Sequence, residues 1–151
     1  MALWDRLKEA AQQMQGQLEQ RKGELKGAGF RDASMAMCAL VAAADGSVDP
    51  AERQRVSQLI TSNSTLQNFP PQDLEQRFNG YVDQLTRDFA FGKVNVLQEV
   101  AKAKKKPVEA RAVIQIGIVI GGADGHFDSD ERAMVREACY ALDLPPHEFD
   151  V

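Results

Sequence analysis

The sequence predicts an all-α protein of about seven helices, on three observations. Apolar residues recur at the three-to-four spacing of a helix through most of the chain. No stretch gives a convincing strand or hairpin pattern. Ten residues occur twice: Ala44-Asp45-Gly46-Ser47-Val48-Asp49-Pro50-Ala51-Glu52-Arg53 returns as Ala123-Asp124-Gly125-His126-Phe127-Asp128-Ser129-Asp130-Glu131-Arg132. Each copy follows an almost wholly apolar run and precedes a helical pattern. Each therefore reads as the corner between a buried helix and a second helix that doubles back. Two halves sharing this plan predict a pseudo-symmetric packing of helical bundles.

At 151 residues, 44% hydrophobic and 26% charged, the chain has the length and composition of one soluble globular domain with a proper core. A formal charge of -4 disfavours a primary nucleic-acid role, because phosphate binding needs local basicity. Cys38 and Cys139 lie in apolar helical stretches without metal-ligand spacing. They read as buried free thiols in a reducing cytoplasm. The first residues mix Asp5, Arg6, Lys8 and Glu9 and do not read as a signal peptide. The greasiest stretch, residues 112–123, is interrupted by Gln115 and falls well short of the ~20 residues that a bilayer span needs.

Residues 2–26 read as a polar helix with a thin apolar seam of Trp4, Leu7, Ala11, Met14, Leu18 and Leu25. Followed by Gly27 and Gly29, it separates a peripheral N-terminal segment, 1–29, from a helical domain, 30–151. Residues 30–44 are apolar nearly all round, as a central helix should be. Residues 49–60 form an amphipathic helix with Val56, Leu59 and Ile60 inward, and 61–69 a polar connection. Pro70 and Pro71 open the most regular helix, striped by Leu74, Phe78, Tyr81, Val82, Leu85 and Phe89. Gly92 is expected to break it. A shorter helix then ends in Lys102, Lys104, Lys105 and Lys106, where cations complement the helix dipole. Pro107 opens the second buried helix, 108–123. There Gly117 and Gly121 lie four apart on one face, so another helix can approach closely. Residues 128–142 form the last full helix, stopped by Pro145 and Pro146.

Much of the repeated corner can be explained by folding alone. Gly46 and Gly125 suit the left-handed position after a helix. Asp49 and Asp128 are N-caps, Glu52 and Glu131 complete capping boxes, and Val48 and Phe127 act as hydrophobic staples. Asp45 and Asp124 are not explained this way. Each stands near a helix C-terminus, where the dipole disfavours an anion by ~0.3–1 kcal/mol. Each also has two more carboxylates nearby, and two such groups ~5 Å apart repel by about 3 kcal/mol at an effective dielectric near 20. Three things could offset this: a local Asx turn, the repeated arginine Arg53 or Arg132 reaching back, or a hard cation held by oxygens. Asp45, Asp49 and Glu52, like Asp124, Asp128 and Glu131, match the second half of an EF-hand loop. The first half is absent, since Val41 and Ala43, or Ile120 and Gly122, cannot ligate through side chains. A structural corner, a weak Ca²⁺ or Mg²⁺ site and recognition of a cationic partner all stay open. No phosphate loop, nucleophile elbow or Glu-x-x-His pattern is present. His126 reads first as an exposed loop residue, ahead of metal ligand or pH sensor.

At these residues the sequence resembles the tellurite-resistance TerB family. The likeness rests on the doubled Ala-Asp-Gly corner after a buried helix, its Asp-x-x-Glu-Arg continuation and the N-terminal amphipathic helix. It is most specific over residues 30–55 and 108–142. The resemblance implies about seven helices in two pseudo-symmetric, overlapping four-helix bundles. It implies a cytoplasmic bacterial protein linked to resistance against tellurite, phage and colicins, without catalytic activity. It also implies that the protein acts with other Ter proteins, including the integral membrane protein TerC, at the inner leaflet and alongside calcium-binding TerD-type proteins. Similar domains attached to J-domain co-chaperones fit an interaction module. The family's acidic motif falls on Asp45, Gly46, Asp49, Glu52, Asp124, Gly125, Asp128 and Glu131.

The expectation is therefore a non-enzymatic stress-response protein that binds a metal or a partner through its acidic corners, with Arg53 and Arg132 structural. Its rivals are a pure scaffold of a membrane-associated complex and a thiol-based redox enzyme using Cys38 and Cys139.

Overall fold

A computed structural model describes residues 2–123 and 125–151, apart from the side chains of residues 2–5 and 7. Asp124 and the side chains of Trp4 and Leu7 therefore lie outside the described residues. The described residues form seven α-helices and four short 3-10 turns, without a strand. The helices are α1 (Ala2–Gln20), α2 (Ala28–Ala42), α3 (Pro50–Ser62), α4 (Pro71–Arg87), α5 (Phe89–Ala101), α6 (Pro107–Gly121) and α7 (Ser129–Ala141).

The sequence repeat is also a repeat of structure. α2 and α6 are both 15 residues long, α3 and α7 both 13, and every boundary recurs at the same offset as the motif. The repeat extends beyond the motif on both sides. A helix and a 3-10 turn precede each buried helix, α1 with Lys22–Glu24 and α5 with Lys102–Lys105, and a 3-10 turn comes after each second helix. Only α4 has no counterpart. The contacts cross between the halves reciprocally: α5 and α7 pack on α2, while α1 and α3 pack on α6. Reciprocity of this kind is the mark of a two-fold relation, here within one chain. α2 also packs on α3, α4 and α6, which agrees with overlapping bundles that share it.

Close approach of α2 and α6 holds the halves together. A Cβ on Gly117 would stand 2.6 Å from Met37 Cγ, and one on Gly121 would stand 2.5 Å from Val41 Cγ1. The two pairs advance in the same direction along both helices, so α2 and α6 run parallel. Their C-terminal ends, and the corners attached to them, are brought side by side.

One helix boundary needs correction. The break after the regular helix falls at Asp88, not Gly92. Asp88 ends α4 and caps α5, its carboxylate accepting the amide of Phe91 at 3.2 Å. Phe89 accordingly belongs to α5. Gly92 lies inside α5 because a Cβ there would meet the backbone carbonyl of Gln84 in α4. The polar connection after α3 contains an ordered 3-10 turn, Ser64–Asn68, which buries Thr65 and Leu66.

The N-terminal seam reaches the core, where Met14, Leu18 and Leu25 are buried. Polar contacts add to it. Gln15 bonds to Asn63, Ser64 and Thr65, Gln17 accepts from Gln115 at 2.7 Å, and Asn68 donates to the carbonyls of Lys22 and Leu25. The lysine run is held by local carboxylates, Lys102 by Glu99 and Lys104 by Asp143.

Candidate functional site

The corners are one turn built twice. The Gly46 amide donates to the Ala43 carbonyl at 2.9 Å, and Gly125 to Gly122 at 3.0 Å. Both glycines hold positive φ, +90° and +82°, the left-handed region where a Cβ is strained. The chain then turns into a capped helix. Asp49 Oδ1 accepts the Glu52 amide at 2.7 Å, and Asp128 Oδ1 accepts the Glu131 amide at 2.8 Å. Val48 and Phe127 pack half-buried on the core, as staples do.

The expected pair of capping boxes forms only once. In the second corner Glu131 reaches back to the Asp128 amide at 3.1 Å and closes the box. In the first, Glu52 turns instead to Arg55, at 2.6 Å and 3.2 Å. The position equivalent to Arg55 in the second copy is Met134, which offers no competing charge. Comparing the two copies one turn further along the sequence would expose this difference.

Of the two offsets that the chain itself could supply, Asp45 adopts the Asx turn. Its Oδ1 accepts the amide of Ser47 at 3.1 Å and the Ser47 hydroxyl at 3.3 Å. The repeated arginines do not reach back. Arg53 binds Asp83 at 2.9 Å and Asn79, pinning α3 to α4. Arg132 donates to the Asp150 carbonyl at 3.3 Å. Both tie their helices to neighbouring elements rather than to the carboxylates of their own corners. Asp45 also stands three residues beyond the end of α2, which weakens the dipole's effect on it.

The parallel packing of α2 and α6 gives the corners a common outlet. Both open on one cleft of about 340 Å³, lined by Asp45, Asp49, Glu52, Asp128, Asp130 and Glu131 over a floor that includes Val41 and Val48. The expected site residues that are described, Asp45, Asp49, Glu52, Asp128 and Glu131, thus line one cleft, although the two corners are far apart in sequence. Sequence reasoning passes over Asp130. Its counterpart in the first copy is Ala51, so a search for residues kept in both copies discards it.

The donor set is all oxygen, as a hard cation requires. Its oxygens are only partly spent. Among the described residues, no hydrogen-bond partner is seen for the second carboxylate oxygens of Asp45, Asp49 and Asp128, or for either oxygen of Asp130. The described carboxylates are spread across the cleft, with no three grouped closely enough to hold an ion as they stand. His126 is exposed and does not line the cleft.

The cysteines are placed unfavourably for thiol chemistry. Both are free and buried, and burial pushes Cys38 up to about 12 and Cys139 up to about 11. Neither would be a thiolate near neutral pH. No helix among the described residues is long and apolar enough to cross a membrane.

Residues 31–151 match the family described as Tellurite resistance protein TerB. The chain is similar to the Tellurium resistance protein TerB of an Alcaligenes species, 25% identical over 118 residues that cover 78% of this chain and 97% of the relative. No solved structure matches it.

Proposed function

Because this chain belongs to the TerB family, we propose that it serves tellurite resistance as a cation-responsive binding protein, without catalysis of its own. The observation that carries this reading is the meeting of six carboxylates from two separate corners in one cleft. Like charges ~6 Å apart at an effective dielectric near 20 repel by about 3 kcal/mol per pair. A hard divalent cation, Ca²⁺ or Mg²⁺, relieves that repulsion if it draws the corners together. Asp45 and Asp49 supply the oxygens from one side, Asp128 and Asp130 from the other, and Asp124 lies in the same corner sequence. Because the described carboxylates are not grouped beforehand, binding is weak and coupled to a change in cleft width.

The spacing of the carboxylates also favours a second reading. A cleft this wide suits a lysine- or arginine-bearing segment of a partner protein as well as an ion. In either case the protein works in the cytoplasm with other Ter proteins. The membrane protein TerC is its expected partner, and any membrane association is peripheral.

Amide shifts test both readings. Titration with Ca²⁺ or Mg²⁺ at constant ionic strength is expected to move Gly46, Ser47, Asp128 and Asp130 together with one saturation curve. Asp49→Asn combined with Asp128→Asn is expected to abolish the response. Absence of shifts up to millimolar ion would remove the metal reading. A saturable response to a lysine-rich peptide alone would leave the partner reading standing.

A further inference from the structure

A second charged cluster lies apart from the residues that line the acidic cleft, where the first turns of α2 meet α4, the helix that the internal repeat does not account for. Asp32 in α2 accepts two guanidinium groups on the same oxygen, Arg31 Nε at 3.0 Å and Arg77 Nε of α4 at 2.6 Å. Both arginines are held inward, their side chains 17% and 33% exposed. Each spends only its Nε in this arrangement. Among the described residues the Nη groups of both have no hydrogen-bond partner.

Tyr81, one turn after Arg77 on α4, completes the group. It is half-buried and feels the charges of Glu99, Asp32, Arg77 and Arg31. Burial, with Glu99 and Asp32, pushes its phenol up to about 12, so the hydroxyl keeps its proton and remains a donor. No partner for that hydroxyl is seen among the described residues. Lys102 pairs with Glu99 at 2.6 Å and also feels Asp32. The cluster holds three cations against two carboxylates, a surplus of one positive charge in a protein whose overall charge is -4.

We infer that Arg31, Arg77 and Tyr81 form a seat for a small oxyanion, with Asp32 holding the two guanidinium groups in place. Asp32 cancels one of the two charges and holds both guanidinium groups through Nε, which leaves their Nη groups for bidentate contact with a second acceptor. Arginine forks fit oxyanion geometry, and the Tyr81 hydroxyl adds a neutral donor. The site is separate from the acidic corners and does not depend on what they bind. Inorganic phosphate and tellurite share this chemistry.

The test uses the full chain labelled with ¹⁵N and follows the arginine Nε–Hε signals and the Asp32 amide. Phosphate and tellurite are titrated separately, with ionic strength held constant by chloride. Saturable shifts at Arg31 and Arg77 with either anion are expected, and the tighter of the two identifies the source. Arg77→Gln should weaken binding about tenfold or more, the scale of one lost charge-assisted contact. Arg77→Lys keeps the charge without the fork and should weaken it by a smaller factor. Tyr81→Phe leaves the packing intact and should weaken it about threefold, so the outcome does not rest on the arginine variants folding. No saturable shift with either anion, or equal affinity in Arg77→Lys, Tyr81→Phe and the parent, would overturn the assignment. Equal displacement by chloride would overturn it as well.

Discussion

Single residues decide how charged and polar groups are satisfied, and here small sequence differences carry large local consequences. Arg55 against Met134 decides which of two otherwise matched glutamates closes a capping box. Pairing such positions needs only the sequence. Knowing that Arg53 would prefer Asp83 to its own corner needs α4 in place. Ser34 is a different case. It is fully buried in α2, and its hydroxyl has no hydrogen-bond partner among the described residues. A buried unsatisfied hydroxyl costs ~1–3 kcal/mol, and alanine is the better helix former. Ser34→Ala is therefore expected to stabilise the protein by about 1 kcal/mol, seen as a raised urea midpoint with unchanged m-value. A lowered midpoint would show that the hydroxyl is satisfied after all.

At the scale of elements, glycine sets how near two helices come, and the contact atom decides how much a methyl group costs. Gly121 faces Val41, a β-branched side chain stiff at χ1, whereas Gly117 faces Met37, which is long and adaptable. Gly121→Ala should destabilise by about 1–3 kcal/mol. Gly117→Ala should cost less, because Met37 can repack while alanine recovers ~1 kcal/mol of helix propensity. Equal effects in denaturant melts would contradict the packing argument. Gly92→Ala should be the most damaging of the three, since the obstacle is the backbone of Gln84 and cannot rotate away. The small-residue face of α6 is legible in sequence as a site of close approach. Its partner is not, because spacing along one helix says nothing about which surface it meets. Gly92 reads as a helix break for the same reason, since a glycine that admits a neighbour and one that ends a helix look alike in sequence.

For the whole molecule, the titration of buried groups predicts where stability fails. Cys38 and Cys139 are raised by burial from an ordinary value of 9.0 to about 12 and about 11, and Tyr81 from 10.0 to about 12. Above pH 9 the unfolded chain releases protons that the folded chain retains, so stability falls as pH rises through that window. Urea midpoints are expected to hold steady up to about pH 8 and to decline from about pH 9 to about pH 12. Cys38→Ala should flatten the decline while lowering the plateau slightly. An unchanged slope would mean that the thiol titrates normally. The sequence by itself determined the helical class, the duplicated corner, its left-handed glycines and its caps, because these depend on periodicity and on hydrogen bonds within a few residues. Only the tertiary structure decided that α2 and α6 run parallel, that each half lends its flanking helices to the other, and that both corners therefore open on one acidic cleft. That outcome rests on contacts between residues far apart along the chain, such as Gly121 with Val41, and no local pattern encodes which distant surfaces will meet.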